Sequence, residues 1–169
     1  MDGLSFARAA RDHLEKEEAL LRELIACLNE EREALCTLDS PAVARSVAAK
    51  ESLAMREQAL AASRRALITE AAARISEESG GAVVDLSLGE IIERLRPPGG
   101  QDLLARRARV RSLASQAQRL NALNRHLCAH ALSCLRGYLS LTGRTQTDTY
   151  GASGRLLKRV SLGGYARRA

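Results

Sequence analysis

Tryptophan is absent from this 169-residue chain, and aromatic residues of all kinds make up only 2% of it. We therefore do not expect a globular core built around aromatic side chains. Long apolar runs are also missing, since no stretch approaches the roughly 18 residues of a membrane-spanning helix. The first residues, MDGLSFARAARDHLEKEE, carry charges where a signal peptide needs an apolar segment. These absences predict a soluble, cytoplasmic protein without membrane insertion.

Metal-binding and disulfide patterns are equally scarce. The four cysteines form neither a CxxC pair nor a regular framework, so we expect reduced thiols on helix faces. His126, His130 and Cys134 lie on one side of a helix, but a fourth ligand and a supporting carboxylate are missing nearby. The sequence predicts no metal and no cofactor.

Signals of catalysis are missing too. No Ser, Cys or His stands in a nucleophile motif, and no Gly-rich loop follows a strand. Acidic residues alternate with basic ones along helix faces and form no convergent carboxylate pair. We therefore expect no catalytic residues and a protein that is not an enzyme.

The chain is instead rich in Ala, Leu, Arg and Glu, which is typical of long helices and coiled coils. A first helix is predicted over residues 4–38, with a leucine in every seventh position and apolar residues between. This seam comprises Leu14, Leu21, Leu24, Ile25, Leu28, Leu35 and Leu38. Asp39-Ser40-Pro41 then ends one helix and begins the next, so the second helix must fold back antiparallel.

A second helix is predicted over residues 41–79, again on a seven-residue leucine repeat, and Gly80-Gly81 ends it. Its seam comprises Leu53, Leu60 and Leu67, flanked by Val43, Val47, Ile68, Ala71 and Ile75. Ser87 and Glu90 form a capping-box pattern that opens a short helix over residues 88–96.

A third long helix is predicted over residues 102–141, after the breaker Pro97-Pro98-Gly99-Gly100. Together these elements predict an all-α fold, an elongated antiparallel helical hairpin extended to a three-helix, coiled-coil-like bundle. The predicted domains are the bundle, residues 1–142, and a flexible basic tail, residues 143–169.

The third long helix carries two apolar faces. One seam runs Leu113, Ala117, Leu120, Asn124, Leu127, Ala131, Cys134, Tyr138 and Leu141. A second stripe begins at Cys128 and continues through Leu132, Leu135 and Leu139 on a neighbouring face. Because a helix of a small bundle buries one such face, the second face is left over and predicts a partner-binding surface.

Charge is divided unevenly between the helices. Residues 1–38 carry 5 basic and 9 acidic groups, whereas residues 102–141 carry 7 basic and 1 acidic. In an up-down-up bundle these helices run side by side, so their charges either aid the register or simply lie on solvated faces. The basic cluster Arg106, Arg107, Arg109 and Arg111 and the basic tail raise nucleic acid as a partner, but no stacking aromatics or DNA-binding motif accompany them. The sequence therefore disfavours nucleic acid as the partner but leaves it as an alternative.

The third long helix carries Leu120-Asn121-x-x-Asn124-x-x-Leu127, followed by Leu132 and Leu139, and the chain continues with Thr149-Tyr150-Gly151 and Gly154. With these residues the chain resembles the FlgN family of flagellar type III export chaperones. The order of an acidic heptad helix, a tight turn, a second helix, a short SLGEIIERL segment and a long helix is also similar. The tail RLLKRVSLGGYARRA is more basic than the family pattern.

This resemblance implies a cytosolic chaperone that binds hook–filament junction (hook-associated) proteins, keeps them unassembled and brings them to the flagellar export apparatus. Terminal segments of these clients are amphipathic helices that pair only in the assembled flagellum. The partner-binding residues expected on this interpretation are Asn121, Asn124, Cys128, Leu132, Leu135, Leu139 and Tyr150. Two alternatives stay open, a coiled-coil adaptor or stalk with residues 128–139 buried in the bundle or a homo-oligomer, and a basic nucleic-acid-associated protein.

Overall fold

The computed structural model of the chain describes residues 2–79 and 86–141, together with the backbone of residues 149–150 and 156–157. Its elements are α1 (Gly3–Thr37), α2 (Ser40–Ser79), α3 (Leu88–Leu95), α4 (Gly100–Leu141), β1 (Thr149–Tyr150) and β2 (Leu156–Leu157). The predicted all-α class is confirmed, and the helices begin and end within two residues of the predicted bounds.

The chain divides into two compact units, residues 1–127 and residues 128–169. In the second unit β1 pairs with β2 in antiparallel register, which the sequence did not predict. The flexible tail predicted for residues 143–169 otherwise lies outside the described residues, so it stays a prediction.

A tight turn joins α1 to α2, as the sequence predicts. Leu38 adopts a left-handed conformation with a φ of 55°, and its backbone N–H bonds back to carbonyls of the last turn of α1. Asp39 then accepts a hydrogen bond from the backbone N–H of Ala42 at 3.0 Å, which caps the first turn of α2. Leu38 is 76% exposed, so its assignment to the buried seam was wrong. It ends the helix and does not pack in the core.

Helices α1 and α2 form an antiparallel hairpin. Ion pairs join Glu31 to Lys50, Glu23 to Arg56 and Glu17 to Arg64. Residue numbers therefore fall along α1 as they rise along α2, which makes the two helices antiparallel. Leu20, Cys27 and Leu53 form a small buried cluster between the two helices, with Leu24 and Leu60 packed against it. Val47, placed in the seam from the sequence, is exposed, because the Ala-rich α2 buries only a narrow face.

The larger core surrounds α3. Ser87 and Glu90 make the predicted capping box at the N-terminus of this helix. Ile91 and Ile92 are fully buried against the first turns of α1, the last turns of α2 and the start of α4. The buried set is Phe6, Ala7, Ala10, Leu14, Ala71, Ala72, Ile75, Leu86, Leu88, Ile91, Ile92 and Leu103.

Helix α4 runs parallel to α1 along its other side. Asp102 lies 3.6 Å from Arg11, and Arg106 lies 2.8 Å from Glu15, so residue numbers rise together along both helices. The pairs Arg106–Glu15 and Arg109–Glu18 agree with the first of the two alternatives that the sequence left open, in which opposite charges of the two helices aid their register. Helix α1 contacts both α2 and α4. Its seam leucines Leu21 and Leu35 are nevertheless only half-buried.

Candidate functional site

The last turns of α4 expose apolar side chains on the second apolar face that the sequence predicted. Leu132 is 47% exposed and Leu135 is 55% exposed, and Cys128 is exposed as well. Leu139 is half-buried. We call Cys128, Leu132, Leu135 and Leu139 the α4 stripe. Spacings of four, three and four residues place the four side chains along one face of a continuous helix.

The neighbouring face of the same segment is exposed too. Tyr138 is 64% exposed and Leu141 is 88% exposed, although the sequence placed both in the buried seam. That assignment was wrong for these two residues and for Cys134, which is also exposed. The seam buries Ala117 and Asn124 and half-buries Leu127 and Ala131. The apolar surface beyond that point is therefore wider than the stripe alone.

The two asparagines of the Leu-Asn motif have different environments. Asn124 is 3% exposed, and its Nδ2 donates to the carbonyl oxygen of Leu28 and to Oε2 of Glu31, both at 2.8 Å. This amide is engaged inside the bundle, so we leave Asn124 out of the candidate surface. Asn121, almost one turn earlier, is exposed beside α1.

Glu31 is a buried neighbour of Asn124 whose contacts the sequence did not predict. Its side chain is 8% exposed, and its Oε1 pairs with Nζ of Lys50 while its Oε2 accepts from Asn124. One buried carboxylate therefore joins α1, α2 and α4. Glu31 lies three residues after Leu28 and therefore on the seam face of α1. A charged residue on that face could have indicated a buried polar contact.

Tyr150 lies in β1, where it pairs with Leu156 of β2. The structure does not describe its side chain, so the prediction that Tyr150 contacts a partner stays a prediction.

The histidines and cysteines of α4 come together only as a pair. Sγ of Cys134 lies 3.7 Å from Nδ1 of His130, and both side chains are exposed. Within the described residues, no three His, Cys, Asp or Glu side chains are placed to hold a metal ion. Cys27 is buried between α1 and α2, and this burial raises the pKa of its thiol.

Three of the four arginines at the start of α4 lie close to residues of other helices or of α4 itself. Arg106 pairs with Glu15 and Asp102, and Arg109 lies 3.9 Å from Glu18. The guanidinium of Arg107 packs beside Gly89 of α3, where an added Cβ would lie 3.0 Å from it. Three of the four arginines suggested as phosphate ligands therefore contact neighbouring helices, which disfavours the nucleic-acid alternative.

A membrane-crossing role finds no support in the part of the chain that the structure describes. None of its helices combines the length and the apolar character that crossing a bilayer requires.

Comparison with known proteins identifies the family. The FlgN protein family model matches residues 7–158, which is nearly the whole chain and includes every helix except the first turn of α1. No curated protein and no solved structure matches the chain. Together with the acidic α1, the capped α3 and the long α4 bearing the Leu-Asn motif, this match shows that the chain belongs to the FlgN family of flagellar export chaperones.

Proposed function

We propose that this protein is a cytoplasmic chaperone for hook–filament junction proteins, which it keeps unassembled and delivers to the flagellar type III export apparatus. Members of the FlgN family bind flagellar hook-associated proteins in general. The observation that carries the proposal for this chain is the exposure of Leu132 and Leu135 on α4. No catalytic step and no cofactor is part of it.

The physical basis is the cost of uncovered apolar surface in water. Each leucine that becomes fully covered contributes about 1.5–3 kcal/mol of transfer free energy. The client's terminal helices have the same difficulty, because their apolar faces are paired only in the assembled flagellum. Packing such a helix on the α4 stripe removes apolar surface of both proteins from water, and it blocks the face through which clients would assemble prematurely.

The coiled-coil adaptor is the second candidate, and it requires a different environment for the residues of the α4 stripe. An adaptor without a client buries residues 128–139 inside the bundle or in a homo-oligomer. In the single chain Leu132 and Leu135 are exposed, so only the homo-oligomer satisfies this candidate. Sedimentation of the purified protein at several concentrations separates a monomer from a dimer.

The deciding experiment is co-purification with the client. The tagged protein, expressed in the flagellated cells that encode it, is isolated from the cytoplasmic fraction, and bound proteins are identified by mass spectrometry. A hook–filament junction protein at near-equal amount supports the proposal. Recovery of the chaperone as a homodimer without any flagellar protein would instead favour the adaptor.

A further inference from the structure

The part of α4 that lies in the second compact unit, residues 128–141, separates its apolar and polar side chains completely. At 3.6 residues per turn, all its larger apolar side chains fall within one arc of about 180° around the helix axis. This apolar arc comprises Cys128, Ala131, Leu132, Cys134, Leu135, Tyr138, Leu139 and Leu141. The opposite side, which we call the polar side, comprises Ala129, His130, Ser133, Arg136, Gly137 and Ser140.

Most of the apolar arc is open to solvent. Leu132, Leu135, Tyr138 and Leu141 are exposed, whereas Ala131 and Leu139 are half-buried. A helix that packs against one neighbouring helix buries a stripe of roughly 100°. The α4 stripe is wide enough for one such neighbour, but the full apolar arc is nearly twice as wide. An arc of this width fits a broad apolar boundary better than it fits a single helix.

The length of the segment determines how it can meet such a boundary. Residues 128–141 span about 21 Å at 1.5 Å per residue, and the hydrocarbon core of a bilayer is about 30 Å thick. The segment is therefore too short to cross a bilayer. A helix with one apolar and one polar side instead lies in the plane of the membrane–water interface, with its apolar side toward the acyl chains.

The charge of the protein is concentrated in the same unit. Residues 1–127 carry 19 basic and 19 acidic residues, whereas residues 128–169 carry 7 basic and 1 acidic. The formal net charge of +6 thus belongs to the unit that bears the apolar arc. Residues 103–147 contain no Asp or Glu, so no carboxylate of this stretch opposes an anionic surface. Excess Lys and Arg beside an amphipathic helix attract anionic lipid headgroups.

We propose that residues 128–141 bind peripherally to an anionic phospholipid surface, with the apolar arc toward the acyl chains and the basic residues of 128–169 attracting the headgroups. Stable attachment of this kind requires two contributions, apolar burial and positive charge, and this unit supplies both. The proposal goes beyond the chaperone function and does not depend on it. Since the α4 stripe is part of the apolar arc, a client helix and the lipid surface compete for these leucines.

A single tryptophan tests the orientation of the helix on lipid. The chain contains no tryptophan, so an introduced one is the sole reporter of its kind. Leu135→Trp lies in the apolar arc, and Ser133→Trp, also at an exposed position, lies on the polar side of the same helix. With vesicles of equal parts phosphatidylglycerol and phosphatidylcholine, we expect the emission of Leu135→Trp to shift to shorter wavelengths and that of Ser133→Trp to stay unchanged. Equal behaviour of the two variants would overturn the proposed orientation.

Flotation of the full-length protein with vesicles measures the attachment itself. We expect it to float with the phosphatidylglycerol vesicles, to float much less with pure phosphatidylcholine, and to be released as salt is raised. The variant Tyr138→Ser, Leu141→Ser removes apolar side chains outside the α4 stripe and should lower the bound fraction about tenfold. Leu4→Ser, Met55→Ser is the matched control, because both side chains are exposed elsewhere, and it should float like the unaltered protein.

Failure to float with anionic vesicles, or equal flotation with both kinds of vesicle, would overturn the proposal. Binding of the junction protein by Tyr138→Ser, Leu141→Ser separates the two partners. If this variant binds the junction protein normally but leaves the vesicles, the lipid surface needs the full arc, as proposed. If it loses the junction protein and floats as well as the unaltered protein does, the full arc belongs to the client and the lipid proposal is wrong.

Discussion

Asn124 Nδ2 donates a 2.8 Å hydrogen bond to Glu31 Oε2, and the other oxygen of that carboxylate pairs with Lys50. The three residues belong to α4, α1 and α2. The amide nitrogen of Asn124 and both oxygens of Glu31 are paired in one geometry, whereas leucines tolerate a shift along the seam. This junction therefore sets the register of residues 100–127 of α4 on the hairpin.

Removing the amide should loosen that register. We expect Asn124→Ala to reduce the free energy of unfolding by about 1–3 kcal/mol, because Glu31 loses a buried partner. Chemical denaturation followed by circular dichroism measures this change. Asn121→Ala is the control, since Asn121 is exposed and should change stability little. Equal effects of the two substitutions would show that the junction does not hold α4.

The buried side chain of Leu28 gives a second stability test. Leu28 is 1% exposed, so Leu28→Ala should cost about 2–5 kcal/mol through lost burial and a residual cavity. Leu38→Ala removes the same atoms from a side chain that is largely exposed and should cost far less. Thermal melts of the two variants that coincide would contradict the observed seam.

Acid should weaken the contact between α1 and α2 at Glu17. Its Oε1 lies 2.8 Å from Nη1 of Arg64 and 3.1 Å from Nε2 of His13. Burial raises the pKa of this carboxyl, but the nearby imidazole of His13 and guanidinium of Arg64 together outweigh burial, so the pKa lies below its ordinary value. A lowered folded-state pKa means stability that is present above the unfolded-state pKa and is lost as pH falls through the folded-state value.

Glu17→Gln should therefore lower the melting temperature at pH 7, and the difference from the unaltered protein should shrink below about pH 4. Melts across this range check the prediction. Glu51→Gln is a suitable control, because Glu51 is exposed on α2. The melting temperature of this variant should differ little from that of the unaltered protein at pH 7 and below about pH 4. If Glu17→Gln lowers the melting temperature by the same amount at every pH, the charge at this position does not stabilise the hairpin.

Client capture should depend on the α4 stripe. We expect Leu132→Ala, Leu135→Ala and Leu139→Ala together to weaken binding of a hook–filament junction protein, by about 1–3 kcal/mol for each side chain that the client covers fully. Because the contact is apolar, a higher salt concentration should change the affinity little.

The matched control removes apolar atoms from exposed positions elsewhere, in the variant Leu4→Ala, Met55→Ala, Leu123→Ala. Calorimetry at two salt concentrations should show full binding by this control. If the stripe variant binds normally while salt abolishes binding, the basic residues carry the interaction and the stripe does not.

The helices themselves follow from local sequence. Asp39-Ser40-Pro41 predicted the turn between α1 and α2, and Ser87 with Glu90 predicted the start of α3, because a cap acts within one turn of the residue that supplies it. The seven-residue leucine repeats likewise predicted three long helices, since helical periodicity depends only on spacing along the chain. The antiparallel hairpin followed from the shortness of its turn.

Burial and partner choice were decided by the tertiary structure. The seven-residue period of the seam continues through Tyr138 and Leu141, yet both side chains are exposed. Apolar residues keep the same spacing along a helix whether or not a neighbouring helix covers them. The sequence placed Asn124 in a partner-binding motif, but its side chain is hydrogen-bonded to Glu31, 93 residues away in sequence. The pairing of Arg106 with Glu15 depends in the same way on α1 lying between two helices. Local patterns determine helices because their interactions span a few residues, whereas contacts between helices depend on which faces meet in space.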